Sequence, residues 1–305
     1  MDLIVVILEV NLMHFTQMNQ FSRIISGTMT WGAWGAKMST VQMQRQIENY
    51  LSMGITTFDH ADIYGGYTTE AEFGAAFSRT SIPREQLQFI TKCGIQMPCE
   101  ARPMAVKHYD YSSDHIQKSV ENSLKALQTD YIDLLLFHRP SPLLNVETAA
   151  QIIQKLLEEG KIKSFGVSNF TPAQIALHQK ALHPSWNQIE CSLTHENSLF
   201  DGTIDYLSTH KIGVMAWSPL GSFFKEKNSR VIRIKQVMGS LCEKYDCSED
   251  QLLLAWLAQH PSQIHPVVGT TSAQRMKNAI SALEIKLELT DWFLLLKASQ
   301  GVEVP

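Results

Sequence analysis

The chain alternates between two kinds of segment. Short β-branched or leucine-rich runs are followed by longer stretches in which apolar residues recur every three or four positions. Eight runs have the length and content of buried strands: RIIS at 23–26, ITTFD at 55–59, LQFITK at 87–92, IDLLLFH at 132–138, SFGVS at 164–168, NQIE at 187–190, GVMAW at 213–217 and HPVVG at 265–269. Between them TVQMQRQIENYLSMG, SDHIQKSVENSLKALQ, NVETAAQIIQKLLEEGK, TPAQIALHQKAL and DGTIDYLSTH have helical period, as does a longer tract over 230–259. Several of these stretches reach a Gly just before the next strand, where a helix C-cap needs one. Strands that alternate with helices build βαβ units around a parallel sheet. Eight of them predict an α/β fold, a closed (β/α)8 TIM barrel forming a single domain over 21–305. An open doubly wound sheet is the other arrangement that the pattern permits.

Residues 1–20 read as an N-terminal extension or strand. The run LIVVILEV at 3–10 has no basic segment before it, contains Glu9 and is much shorter than the ~20 residues of a membrane span. Composition narrows the partners further. With 44% hydrophobic and 18% charged residues and a net charge of −4, the 305-residue chain has the makings of a sizeable core, and nothing in it points to nucleic acid or a membrane. Its five cysteines are scattered, without the C-x-x-C spacing of a zinc or redox site, so reduced thiols in a cytoplasmic protein are expected, with no metal.

A barrel carries its chemistry at the C-terminal ends of its strands. Asp59 ends the second run and Tyr64 lies just beyond it, in TTFDHADIYGGY at 56–67, while Lys92 ends the third run and His138 the fourth. Taken singly, each has an ordinary structural reading: a turn cap, a loop aromatic, an edge charge, a satisfied histidine. Four titratable groups at the same end of three neighbouring strands favour one site. No serine or cysteine nucleophile motif, H-E-x-x-H sequence or glycosidase-like carboxylate pair is present. What the four can do is donate a proton. Tyr64 is the acid, Lys92 the cation expected to lower the phenol's pKa, Asp59 the partner that keeps Lys92 charged, and His138 orients a substrate oxygen. That suits a carbonyl oxygen gaining negative charge as hydride reaches its carbon.

FDHADIYG, FITKCGI, DLLLFHRP, GVSNF, NQIE and MAWSPLGS follow one another in the order and spacing of the aldo-keto reductase family, and from about residue 23 onward the chain resembles its short-tailed bacterial oxidoreductases. The resemblance implies an NADPH-dependent enzyme that reduces small-molecule carbonyl substrates on a (β/α)8 barrel, with Asp59, Tyr64, Lys92 and His138 as catalytic tetrad. It also implies the cofactor contacts. Ser168, Asn169 and Gln188 match positions that bind the nicotinamide carboxamide, Trp217 the aromatic that stacks on the nicotinamide, and Ser218, Leu220 and Gly221 a loop beside the pyrophosphate. Asp59 borders the nicotinamide, and so would Thr30 and Trp31. The stretch GTTSAQRMKNA at 269–279 opens a helix for the phosphate, with Gly269, Thr270 and Thr271 leading in and Arg275 as the 2′-phosphate ligand. Two positions depart from the family, which often has lysine at Gly269 and asparagine at Ala279. Two other classes fit a barrel of this kind: a cofactor-sensing regulatory subunit with little turnover, and a phosphate-binding isomerase or lyase.

Overall fold

All eight runs become parallel strands, short and almost wholly buried on both faces. The computed structural model describes residues 21–179 and 181–303; the extension at 1–20 lies outside them. The strands are β1 (Ile25–Gly27), β2 (Thr57–Asp59), β3 (Gln88–Cys93), β4 (Leu134–Phe137), β5 (Phe165–Ser168), β6 (Trp186–Glu190), β7 (Gly213–Trp217) and β8 (His265–Val268). Each pairs in parallel with its sequence neighbour, and Ile25 of β1 lies opposite Val267 of β8, which closes the barrel and removes the open-sheet alternative. A two-stranded antiparallel hairpin, Ile95–Gln96 with His108–Tyr109, stands on the loop after β3. It is too short for its period to register in the sequence.

Helices surround the barrel: α1 (Thr40–Ser52), α2 (Thr69–Phe77), α3 (Ser113–Leu127), α4 (Val146–Glu158), α5 (Pro172–His178), α6 (Thr203–Thr209), α7 (Ser229–Lys244), α8 (Glu249–Ala258), α9 (Ala273–Ser281) and α10 (Leu289–Gln300). Ser39 and Gln42 close a capping box at the start of α1, as Thr171 and Gln174 do for α5. Gly54 and Gly160 take the positive φ expected where helices turn into strands. The expected helical tract over 230–259 is two helices. Asp246 turns left-handed with φ 48°, and the Gln251 side chain accepts the Ser248 N–H to start α8 afresh. Helix α2 leaves no amphipathic trace because Thr69, Glu70, Phe73, Gly74, Ala76 and Phe77 are all buried. No described helix is long and apolar enough to cross a membrane.

The N-terminal end of the barrel is plugged. Trp186, the first residue of β6, meets Phe21 edge-on at 5.3 Å and His265 at 5.2 Å, with Ile25, Leu134, Met215 and Val267 layered above. The indole fits only because β7 starts with a glycine: a Cβ on Gly213 would lie 2.4 Å from the Trp186 ring. Gly213→Ala should therefore force the ring or the strand to move and cost about 1–3 kcal/mol, the usual range for overpacking a filled core. A urea midpoint equal to that of wild type would show that the plug is slack.

Candidate active site

Four side chains meet at the opposite end of the barrel. Asp59 is the last residue of β2, Lys92 sits near the end of β3, and His138 follows β4 with its N–H bonded to the Cys93 carbonyl at 2.9 Å. Tyr64 opens a single helical turn, Tyr64–Tyr67, which Gly65 and Gly66 bend through left-handed conformations at φ 65° and 73°. This turn folds the phenol back over the strand ends. Lys92 Nζ donates to Asp59 Oδ1 at 2.8 Å and Oδ2 at 2.7 Å, to the His60 carbonyl at 2.7 Å and to Tyr64 Oη at 3.1 Å. The Tyr64 and His138 ring centroids are 6.2 Å apart, edge to face.

Burial governs the charges. Asp59 is 2% and Lys92 1% exposed. Burial alone would lower the Lys92 pKa, but the Asp59 charge and the contact with Tyr64 outweigh it, so the ammonium is held above its ordinary value. Tyr64 departs from expectation. Burial raises its pKa above the ordinary phenol value of 10, and Lys92 only partly opposes this because Asp59 already neutralises the lysine's field. The phenol therefore stays protonated. His138 is driven well below its ordinary value, first by burial and then by Lys92, Arg139 and Lys107. It is a neutral imidazole, and its buried Nδ1 has no partner among the described residues.

A second chain of hydrogen bonds leads away from the tetrad. Gln188 Nε2 donates to Asp59 Oδ1 at 2.8 Å. On the neighbouring strand, Ser168 Oγ donates to the Gln188 carbonyl at 2.9 Å, Asn169 Nδ2 to Ser168 Oγ at 2.7 Å, and Trp217 Nε1 to Asn169 Oδ1 at 2.9 Å. Asn169 and Ser218 both turn left-handed as they leave their strands, at φ 61° and 49°. Gly221 is pinned: a Cβ there would lie 1.9 Å from Thr194 Oγ1 and 2.5 Å from Ser192 Oγ. Leu220 beside it packs against the core.

The segment before α9 is held from behind. Thr30 Oγ1 donates to the Gly269 carbonyl at 3.0 Å, Tyr50 Oη to that of Thr270 at 2.7 Å and Gln46 Nε2 to that of Thr271 at 3.1 Å. Ser272 caps α9, Arg275 is exposed in its first turn, and the space where a Gly269 side chain would project is open. Ala279 is buried.

The Trp31 indole is fully buried between Tyr50, Phe58 and Phe73, because α1 and α2 close over it, and its Nε1–H has no partner among the described residues. The tryptophan beside Tyr64 is Trp34, 42% exposed with ring centroids 6.2 Å apart. Two tryptophans three residues apart in one loop gave no signal to choose between them. Sequence reasoning also missed Arg139, whose guanidinium carbon lies 5.3 Å from the Trp217 ring centroid. Among the described residues no group of three or more His, Cys, Asp or Glu is placed to hold a metal ion.

A sequence model of the Aldo/keto reductase family matches residues 23–297. The chain belongs to the aldo-keto reductase family. Oxidoreductase YdhF of Escherichia coli (strain K12) is 39% identical over 289 residues, covering 94% of this chain and 96% of its own. A 6-dehydroglucose reductase of Agrobacterium fabrum is 39% identical over 290 residues, covering 93% and 96%. Among solved structures, a thermostable aldo-keto reductase in complex with the inhibitor epalrestat superposes with a TM-score of 0.77 at 24% identity over 91% of this chain and 95% of that one, a likeness of fold. The protein is thus an NAD(P)H-dependent oxidoreductase of that family.

The two tryptophans of this aldo-keto reductase should separate experimentally. Trp31→Ala should cost about 3–5 kcal/mol, the range for a large aromatic removed from a core, while Trp34→Ala should leave the melting temperature near wild type and change KM. A destabilised Trp34→Ala with an intact Trp31→Ala would reverse the two roles.

Proposed function

We propose that the protein reduces aldehydes or ketones to alcohols with NADPH, and that Tyr64 gives the proton. The observation that carries this reading is the Lys92 ammonium, buried and bonded at once to both Asp59 oxygens and to Tyr64 Oη. A carbonyl oxygen placed against the Tyr64 hydroxyl and the neutral His138 ring meets two groups suited to hydrogen-bond it. As negative charge grows on that oxygen the proton passes from Tyr64 Oη, and Lys92 at 3.1 Å stabilises the phenolate left behind. Asp59 keeps Lys92 protonated throughout.

The residues present fit a nicotinamide cofactor, which when bound supplies the hydride for the carbonyl carbon. The Ser168 hydroxyl and the Asn169 and Gln188 amides are a donor and acceptor set suited to a carboxamide, and Trp217 offers a half-buried ring beside them. With Gln188 Nε2 committed to Asp59, its Oε1 is the atom left to accept from the carboxamide. Ser218, Leu220 and Gly221 lie in the loop after β7 for the pyrophosphate. The capped N-terminus of α9, reached through Gly269, Thr270 and Thr271, suits the 2′-phosphate, with Arg275 exposed in its first turn. We place the protein in the cytoplasm, a setting that five cysteines without a disulfide support. The Agrobacterium relative makes 6-dehydroglucose one compound to include in a substrate panel.

Tyr64→Phe should lower the rate of carbonyl reduction at least ~100-fold, the scale of a lost general acid, with little change in NADPH affinity. Near-normal turnover would remove Tyr64 from its role. The wild-type pH profile carries the sign of the shifted phenol. The acid must be protonated, so reduction is fully present below the Tyr64 pKa and is lost as pH rises through it. Because that pKa is raised from 10, the alkaline limb attributable to Tyr64 should lie above pH 10, and a limb near neutrality in the chemical step would assign the proton to another group.

Cofactor choice should pass through Arg275. With glycine at 269, Arg275 is the cation within the GTTSAQR stretch. Arg275→Ala should weaken NADPH binding by roughly 1.5–3 kcal/mol, the value of a charged hydrogen bond, and leave NADH nearly untouched. Dissociation constants measured at one ionic strength that weaken equally for both cofactors would place the 2′-phosphate elsewhere.

A further inference from the structure

Arg139 is a charged side chain at the barrel mouth that the tetrad does not use. It directly follows His138 and precedes Pro140, which biases the residue before it toward extended backbone. One phenol holds both of its backbone groups: Tyr111 Oη donates to the Arg139 carbonyl at 2.6 Å and accepts from its N–H at 3.2 Å. Tyr111 is itself buried. From this anchored position at the end of β4 the side chain reaches the end of β7, where its guanidinium carbon lies 5.3 Å from the Trp217 ring centroid. It is half-buried, and among the described residues no carboxylate pairs with it. The acid nearest the chemistry, Asp59, is already committed to Lys92. Behind burial and Lys92, Arg139 is the next influence holding the His138 ring neutral, followed by Lys107.

A half-buried guanidinium without an acid has donors to spare, and its planar fork matches a carboxylate in two parallel hydrogen bonds. Resting on Trp217 limits the directions it can take. We propose that Arg139 is a specificity residue that seats the carboxylate of oxo-acid substrates, that is, aldehydes or ketones carrying a carboxylate away from the reacting carbonyl. The proposal rests on the carbonyl-reducing reading above. The carbonyl oxygen is held by Tyr64 and His138, while the carboxylate reaches across the mouth to Arg139. No new chemistry is added; charge complementarity selects which carbonyl is presented.

The test uses two substrates with the same ring and the same aldehyde, 4-formylbenzoate and its methyl ester. Wild type should prefer the acid in kcat/KM. Arg139→Met should shrink that preference roughly tenfold or more, as loss of a charge-assisted pair would, through KM rather than kcat, and Arg139→Lys should restore part of it and serve where the methionine variant fails to fold. Calorimetric binding of 4-(hydroxymethyl)benzoate in the presence of NADP⁺ makes the same comparison without turnover. If both aldehydes are reduced but the acid-to-ester ratio is the same in wild type and variants, the role of Arg139 is overturned and the reductase reading stands. If neither aldehyde is reduced, the reductase reading is in trouble, and the binding comparison still decides Arg139. An NADPH affinity that falls while the ratio holds makes Arg139 a cofactor contact and overturns the proposal.

Discussion

The ion pair between Lys92 and Asp59 is the constraint around which the site is organised. Two charges at 1% and 2% exposure are expensive to hold inside a protein, and each is tolerable only while the other is within hydrogen-bonding distance. The pair therefore fixes how β2 and β3 end relative to one another. It also fixes Gln188, whose amide nitrogen is committed to Asp59, and it leaves one lysine contact for the phenol. The Tyr64 hydroxyl is thereby oriented through these two residues. A neutral substitution at either one strands a buried charge, so their loss reaches well beyond the one interaction.

The barrel was legible in the sequence because its strands are short, mostly rich in apolar residues and separated by stretches of helical period. That makes eight separated runs visible, and the polar residues interrupting their ends, Asp59, Lys92 and His138, stand out against them. The tetrad became readable for the same reason. What the pattern could not show is set by three-dimensional packing. Helix α2 is buried nearly all round and has no polar face to mark it. Trp31 and Trp34 differ only in which of them α1 and α2 cover. The phenol of Tyr64 was expected to be lowered by its cation, but that expectation lacked two magnitudes a sequence does not carry: how deeply the hydroxyl is buried, and how far Asp59 cancels the lysine.

The ends of β5, β6 and β7 tie the tetrad to the cofactor positions implied by the family resemblance. Ser168, Asn169, Gln188 and Trp217 are linked by hydrogen bonds into one chain that terminates on Asp59. The links run through the Gln188 backbone carbonyl as well as its side chain, so a nicotinamide meeting Asn169 or Gln188 would touch a framework connected to Asp59 and, through Lys92, to Tyr64. Asp59 belongs both to this chain and to the ion pair beside the phenol.

Among the described residues, the plug of Trp186, Phe21 and His265 gives the barrel a floor and leaves the opposite end as the doorway. On the proposed reading, two guests share that doorway, and the one seated against Gln188, which is almost wholly enclosed, stands further from the exit. Guests that share one door queue. On that reading the deeper of the two would arrive first and leave last, an order that follows from the barrel's closed far end, where the tryptophan is wedged into the glycine gap of β7.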